Sequence, residues 1–291
     1  MQVLFLTLAL MGSGWTAQAQ AVRPPCAVVA DPPADTAFPP QLAQVRYATG
    51  GVEVPARFFV SAGAGPHPTV LLLHGFPGTE LNLDLARAIQ RAGWNVMAIH
   101  YRGIWGAPGQ FSFINTIEDA RAALTWLREP DRKSHVDTSR IVVLGHSMGG
   151  FDTVMIGDDA GIAGFVTISA WDVSAEAARL STPAARTAAE AEFAGDLSFT
   201  NMTFASMADE IVTKAEAWDW DRNAAEMAGR PLLVIDSKDG LAPKGDAVVA
   251  AVIGSGGPTP SRLTFETDHS YNDHRIALAS AVVAWLEAEF P

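Results

Sequence analysis

The spacing of apolar and polar positions changes repeatedly along the chain, and each change predicts an element. Val45–Ala48 and Val54–Val60 alternate apolar and polar residues around Gly50-Gly51, which predicts an antiparallel pair at a sheet edge. Thr69–Leu73, Ile141–Leu144 and Pro231–Ile235 are continuous apolar runs, the pattern of parallel strands covered on both faces. Trp94–His100, Gly164–Ala170 and Ser261–Glu266 read as further strands of the same sheet. Helical spacing appears over Leu81–Ala92, closed by Gly93, and over Thr116–Leu127, Met148–Ile156 and Arg275–Phe290. Glu118 and Asp119 then fall near the start of the Thr116–Leu127 helix, where acids complement its dipole. The alternation predicts an α/β fold, with a mostly parallel eight-stranded sheet and helices on both faces.

The rhythm is interrupted at three places. Residues 20–41 hold six prolines without periodicity and read as an extended, Pro-rich leader to a folded domain over 42–291. Over 173–230 the strand pattern gives way to Ala/Glu-rich helical segments with Trp218 and Trp220, expected to form a helical lid inserted after the sixth strand. Residues 1–19 carry an apolar run, Val3–Met11, and a small-residue exit, Ala17-Gln-Ala19, the pattern of a signal peptide cleaved after Ala19. Ten or so apolar residues fall short of the roughly twenty that a membrane span needs, so export to the periplasm or medium without membrane insertion is expected.

Composition narrows the function classes. A hydrophobic content of 48% argues against disorder, and a net charge of −12 argues against nucleic acid or anionic membrane as partner. The single cysteine, Cys26, forms no internal disulfide and is read as a solvated thiol without function. Glycines 103, 106 and 109 do not fit a dinucleotide fingerprint, no phosphate-binding Gly-Lys-Ser/Thr follows, and no zinc-ligand spacing occurs; no cofactor or metal is expected.

The candidate chemistry lies in Arg140–Gly150. A buried strand turns into a helix at Ser147, and Gly145, Gly149 and Gly150 remove side chains where such a corner is crowded. This is a nucleophile elbow, G-x-S-x-G, holding a strained serine with its hydroxyl exposed. With His74-Gly75-Phe76-Pro77-Gly78 after one strand, Asp239 after another and His269 after the last, the chain resembles the α/β-hydrolase superfamily. The resemblance is nearest to bacterial hydrolases similar to the prolyl oligopeptidase catalytic domain and to dienelactone hydrolases, and covers residues 45–291.

The resemblance implies a Ser147–His269–Asp239 triad and an oxyanion hole from the Phe76 and Met148 backbone N–H groups. Asp239 is favoured over Asp236 and Asp172 as the acid, and His269 over His274 as the base; His74 is read as structural. The loop after Trp94–His100 leaves the carboxyl edge of the sheet, so Tyr101 and Trp105, with Trp171 after the sixth strand, are expected to line the substrate pocket. A serine at the elbow argues against the dehalogenases and epoxide hydrolases that place aspartate there. The implied function is a serine carboxylesterase acting on small esters, with a peptidase or amidase on short peptides as alternative and a non-catalytic binding protein as the rival from another class. Oligomeric state is left open.

Overall fold

The computed structural model of the protein describes residues 24–291; the expected signal peptide lies outside them. Eight strands form one sheet: β1 Gln41–Thr49, β2 Val52–Val60, β3 His67–Leu73, β4 Asn95–Ile99, β5 Val136–His146, β6 Gly164–Ile168, β7 Leu232–Asp236 and β8 Ser261–Thr264. Their order is β1-β2-β4-β3-β5-β6-β7-β8, with β2 antiparallel to β1 and β4 and every pair from β4 onward parallel.

The unbroken apolar runs follow from burial on both faces. In β5, Ile141 and Val143 face one core while Val142 and Leu144 face the other, and β3 and β7 divide in the same way. One core is closed by α2 (Leu83–Arg91) and α10 (Arg275–Glu289). The other is closed by α3 (Phe113–Leu127), α4 (Met148–Met155) and α9 (Ala242–Gly254). Each fully buried Leu or Val contributes roughly 1.5–3 kcal/mol, so these central strands dominate the apolar driving force.

Several boundaries differ from the sequence expectation, each for a local reason. Helix α3 begins three residues early because the Ser112 hydroxyl accepts the Asn115 N–H at 3.2 Å. Asp119 therefore sits well inside the helix and does not serve its dipole. It is fully buried, and accepts from Thr49 Oγ1 at 2.7 Å, Arg102 N at 2.8 Å and Arg102 Nε at 2.6 Å. Within the leader expected to be extended, α1 (Cys26–Val29) makes one helical turn. Arg91 Nε, donating to the Ala27 carbonyl at 2.6 Å, holds it against α2, and Ala27 and Val28 pack on the core beneath.

The segment between β6 and β7 is helical, with α5 (Glu176–Arg179), α6 (Pro183–Leu197), α7 (Phe204–Lys214) and α8 (Trp220–Ala225). It is fastened to the body of the fold. The Glu210 carboxylate on α7 accepts the Phe113 and Ile114 N–H groups at 3.0 and 2.9 Å, satisfying two free donors at the start of α3. Asn201 accepts the Phe111 N–H at 2.9 Å and donates to the Gly109 carbonyl at 2.8 Å.

Candidate active site

Six parallel strands, β3 to β8, bring their carboxyl ends to one edge, and the chain segments that follow them build the site. Ser147 stands directly after β5 with φ 56° and ψ −117°, a left-handed conformation that a non-glycine residue adopts only when its surroundings impose it. The surroundings do so through backbone bonds: Ser147 N–H donates to the Ile168 carbonyl at 2.9 Å, and the Ser147 carbonyl accepts Trp171 N–H at 3.0 Å. The flanking glycines are sterically required. A Cβ on Gly145 would lie 1.9 Å from the Gly149 carbonyl oxygen, and one on Gly149 would lie 2.1 Å from that of Leu73.

Ser147 and His269 line the same cleft of about 180 Å³, bounded on one side by the 75–78 loop. His269 follows β8, and its Nδ1 is 2.7 Å from Asp239 Oδ2, in the loop after β7. Burial pushes the Asp239 carboxyl up, but His269, the Leu241 N–H and the Ser237 and Ser169 hydroxyls outweigh it and hold the group well below the usual carboxylate range. Asp239 is therefore ionised at neutral pH. A carboxylate on Nδ1 fixes the imidazole tautomer, leaving Nε2 as the atom able to accept a proton.

Two further histidines support this arrangement. His146 Nε2 donates to the His269 backbone carbonyl at 2.9 Å, and the two rings lie 4.8 Å apart. Burial lowers His146 to about 3, so its ring is neutral. His74 is also neutral, lowered by burial to about 4, and its Nδ1 donates to the Gly75 carbonyl at 2.7 Å. In a trans peptide the C=O and N–H point opposite ways, so anchoring the Gly75 carbonyl to His74 turns the Phe76 N–H away from that ring. Among the described residues neither the Phe76 nor the Met148 N–H has a hydrogen-bond acceptor. Met148 is the first residue of α4, where a free N–H is inherent to the helix start.

The expected pocket residues separate. Tyr101 is a correction: its side chain is fully buried, with its hydroxyl donating to the His74 carbonyl at 3.3 Å and its ring 4.7 Å from the His74 ring. It packs behind the 74–78 loop because β4 delivers it inward. Trp105 is 48% exposed, stacks on Phe199 of the inserted segment at 4.2 Å, and donates from Nε1 to the Pro77 carbonyl at 2.8 Å. Trp171 is half-buried between Phe113 and Phe193. From the inserted segment, Asp196 alone lines the cleft.

The competing acids and bases are engaged elsewhere. Asp236 Oδ2 accepts from Arg262 at 2.8 Å, and Asp172 caps the turn after β6 and pairs with Lys244 at 2.7 Å. His274 stands at the start of α10 with Nδ1 2.8 Å from Asp273. Behind Asp239 lies a buried group of hydroxyls absent from the sequence reading, with Ser169 Oγ 3.0 Å from both Ser237 Oγ and Tyr271 OH. Its only sequence signal was the placement of Ser169 and Ser237 directly after two core strands.

The sequence model of the alpha/beta hydrolase family matches residues 70–288. The chain belongs to the alpha/beta hydrolase family. Among curated relatives of this alpha/beta hydrolase, the Alpha/beta hydrolase domain-containing protein WAV2 of Arabidopsis thaliana is 39% identical over 85 residues, 28% of this chain and 27% of that protein. Esterase EstD of Thermotoga maritima is 30% identical over 128 residues, 40% of this chain and 30% of that protein. The matches thus span under a third of either relative. The Pyrococcus furiosus esterase Pf2001 superposes with a TM-score of 0.61 at 16% identity, covering 88% of this chain and 94% of that one, a likeness of fold.

Proposed function

We infer that the protein is a serine hydrolase that cleaves carboxylic esters through an acyl-enzyme, with Ser147 as nucleophile, His269 as base and Asp239 as its partner. The contact of His269 Nδ1 with Asp239 Oδ2, on a histidine that lines the same cleft as Ser147, carries this reading. In the reaction, His269 Nε2 takes the hydroxyl proton as Ser147 Oγ attacks the ester carbonyl carbon, and Asp239 stabilises the imidazolium. The oxyanion forms against the Phe76 and Met148 N–H groups, each donor worth about 3 kcal/mol in comparable sites. Collapse expels the alcohol, which takes the proton from His269. Water, activated by the same imidazole, then releases the acid and restores Ser147.

The cleft of about 180 Å³ is small beside the roughly 300 Å³ at which drug-sized pockets begin, which supports a compact acyl group. The name of the Thermotoga relative also supports ester over amide cleavage. Trp105 and Trp171, which lie outside the lining of this cleft, are proposed as substrate contacts beyond it, and the 173–230 segment, which reaches it through Asp196, as its cover. The test compares short-chain p-nitrophenyl esters with aminoacyl anilides, in the wild type and in Ser147→Ala. Ester turnover with a stoichiometric burst, lost in the folded variant, is expected; turnover that survives in Ser147→Ala overturns the assignment.

A further inference from the structure

Two carboxylates, Glu80 and Asp196, line the cleft beside Ser147, and no lysine or arginine does so among the described residues. They are not equivalent. Glu80 accepts the Asn82 N–H and stands 4.0 Å from Arg275. Asp196, the penultimate residue of α6, is half-buried and receives no donor to its side chain among the described residues. Burial pushes its carboxyl up, and nothing offsets that. Several other acids withdrawn from water in this chain are ion-paired: Asp159 with Arg128, Asp137 with Arg140, Asp172 with Lys244. A carboxylate drawn from water without a donor costs free energy that a bound cation would recover.

A second, independent feature adjoins it. Trp105 and Phe199 stack at 4.2 Å with an interplanar angle of 27°, yet stay 48% and 40% exposed. The pair is fixed to both sides of the cleft. Trp105 Nε1 bonds Pro77, which lines the cleft, and Phe199 N–H donates to the Asp196 carbonyl at 3.2 Å. A partly exposed aromatic pair tied through the Phe199 backbone to the residue that bears an unpaired carboxylate is a combination that attracts an ammonium group, through cation–π attraction and a charge-assisted contact.

We propose that Asp196, with the Trp105–Phe199 pair beside it, selects substrates that carry a cationic ammonium group close to the scissile carbonyl. This rests on the hydrolase reading above and deepens it. The cation enters from the acyl side, as in an aminoacyl ester, or from the alcohol side, as in a choline ester, and anionic substrates are repelled.

The experiment measures kcat/KM by acid release at constant pH on two matched pairs. Alanine methyl ester is set against its N-acetyl form, and butyrylcholine against the uncharged ester with carbon in place of the quaternary nitrogen. The wild type should prefer the cationic member of at least one pair by about tenfold, the scale of a hydrogen bond to a charged group, and the preferred pair identifies the side. Asp196→Asn should erase that ratio, Asp196→Lys should invert it, and added salt should reduce it in the wild type. Turnover of the neutral esters with no cationic preference, or an unchanged ratio in Asp196→Asn, overturns the inference and leaves the hydrolase reading standing. No turnover of any ester, with Ser147 unlabelled by a fluorophosphonate, overturns both.

Discussion

His146 Nε2 donates a hydrogen bond to the backbone carbonyl of His269 at 2.9 Å, so the residue before the proposed nucleophile holds the backbone of the proposed base. Two elements far apart in sequence are tied at the point where a proton must pass. Because burial keeps His146 neutral, the tie adds no positive charge to oppose an imidazolium on His269. His146→Leu, which keeps the bulk and removes the donor, should lower kcat for a short ester by about tenfold to a hundredfold, the penalty of a slightly misplaced base. KM should change little. Steady-state kinetics at several pH values check this, and an undiminished kcat would mean that His269 is held by other contacts.

Asp239→Asn tests the acid. The amide preserves the shape but not the charge, and favours the wrong imidazole tautomer, so kcat should fall by about ten-thousand-fold with folding retained. Asp236→Asn should leave kcat within a few-fold, since Asp236 is bound to Arg262. If the two losses were exchanged, the roles of these carboxylates would be exchanged as well.

Asp152 predicts a pH dependence of stability. It lies on α4 one turn beyond Ser147, fully buried, with Thr116 Oγ1 donating to Oδ1 at 2.7 Å and no partner on Oδ2. Burial raises it from 3.8 to about 8, so the folded protein holds a proton there that the unfolded chain has released. The contribution to stability is fully present below about pH 4, declines as pH rises to about 8 and then levels off. Asp152→Asn should flatten that decline, so urea midpoints of wild type and variant should diverge progressively across this range. Parallel curves would show that Asp152 is ionised in the fold.

Arg102 separates a buried ion pair from an exposed one on the same side chain. It meets the fully buried Asp119 at 2.6 Å and the largely exposed Glu118 at 2.8 Å. Arg102→Met leaves Asp119 buried and unpaired and should cost about 3–5 kcal/mol. Glu118→Gln should cost under ~1 kcal/mol, because water already screens that contact. Denaturant melts of the two variants give both numbers.

What could be read from the sequence and what could not divide along a physical line. The central strands were legible because burial on both faces demands unbroken apolar residues, and the corner at Ser147 was legible because only glycine fits beside it. The contact of Asp239 with His269 was anticipated by chain order and family likeness, not by pattern. Tyr101 was misplaced because an aromatic residue after a strand looks alike whether it turns toward the cleft or toward the core. The start of α3 was missed because its cap, Ser112, precedes the apolar spacing that marks the helix, and α9 because its Ala- and Val-rich sequence carries little amphipathic contrast. The roles of His146 and of the Ser169–Ser237–Tyr271 hydroxyls depend on contacts between distant strands, which no local spacing encodes.

The bond from Glu210 to the first amides of α3 makes the excursion between β6 and β7 part of the scaffold's own end-sealing. A truncated chain lacking that excursion would strip two donors at the head of a principal helix of their acceptor. Grafting a homologue's excursion to alter selectivity would therefore have to import the matching 101–113 connection too, since the two are stitched together as one module.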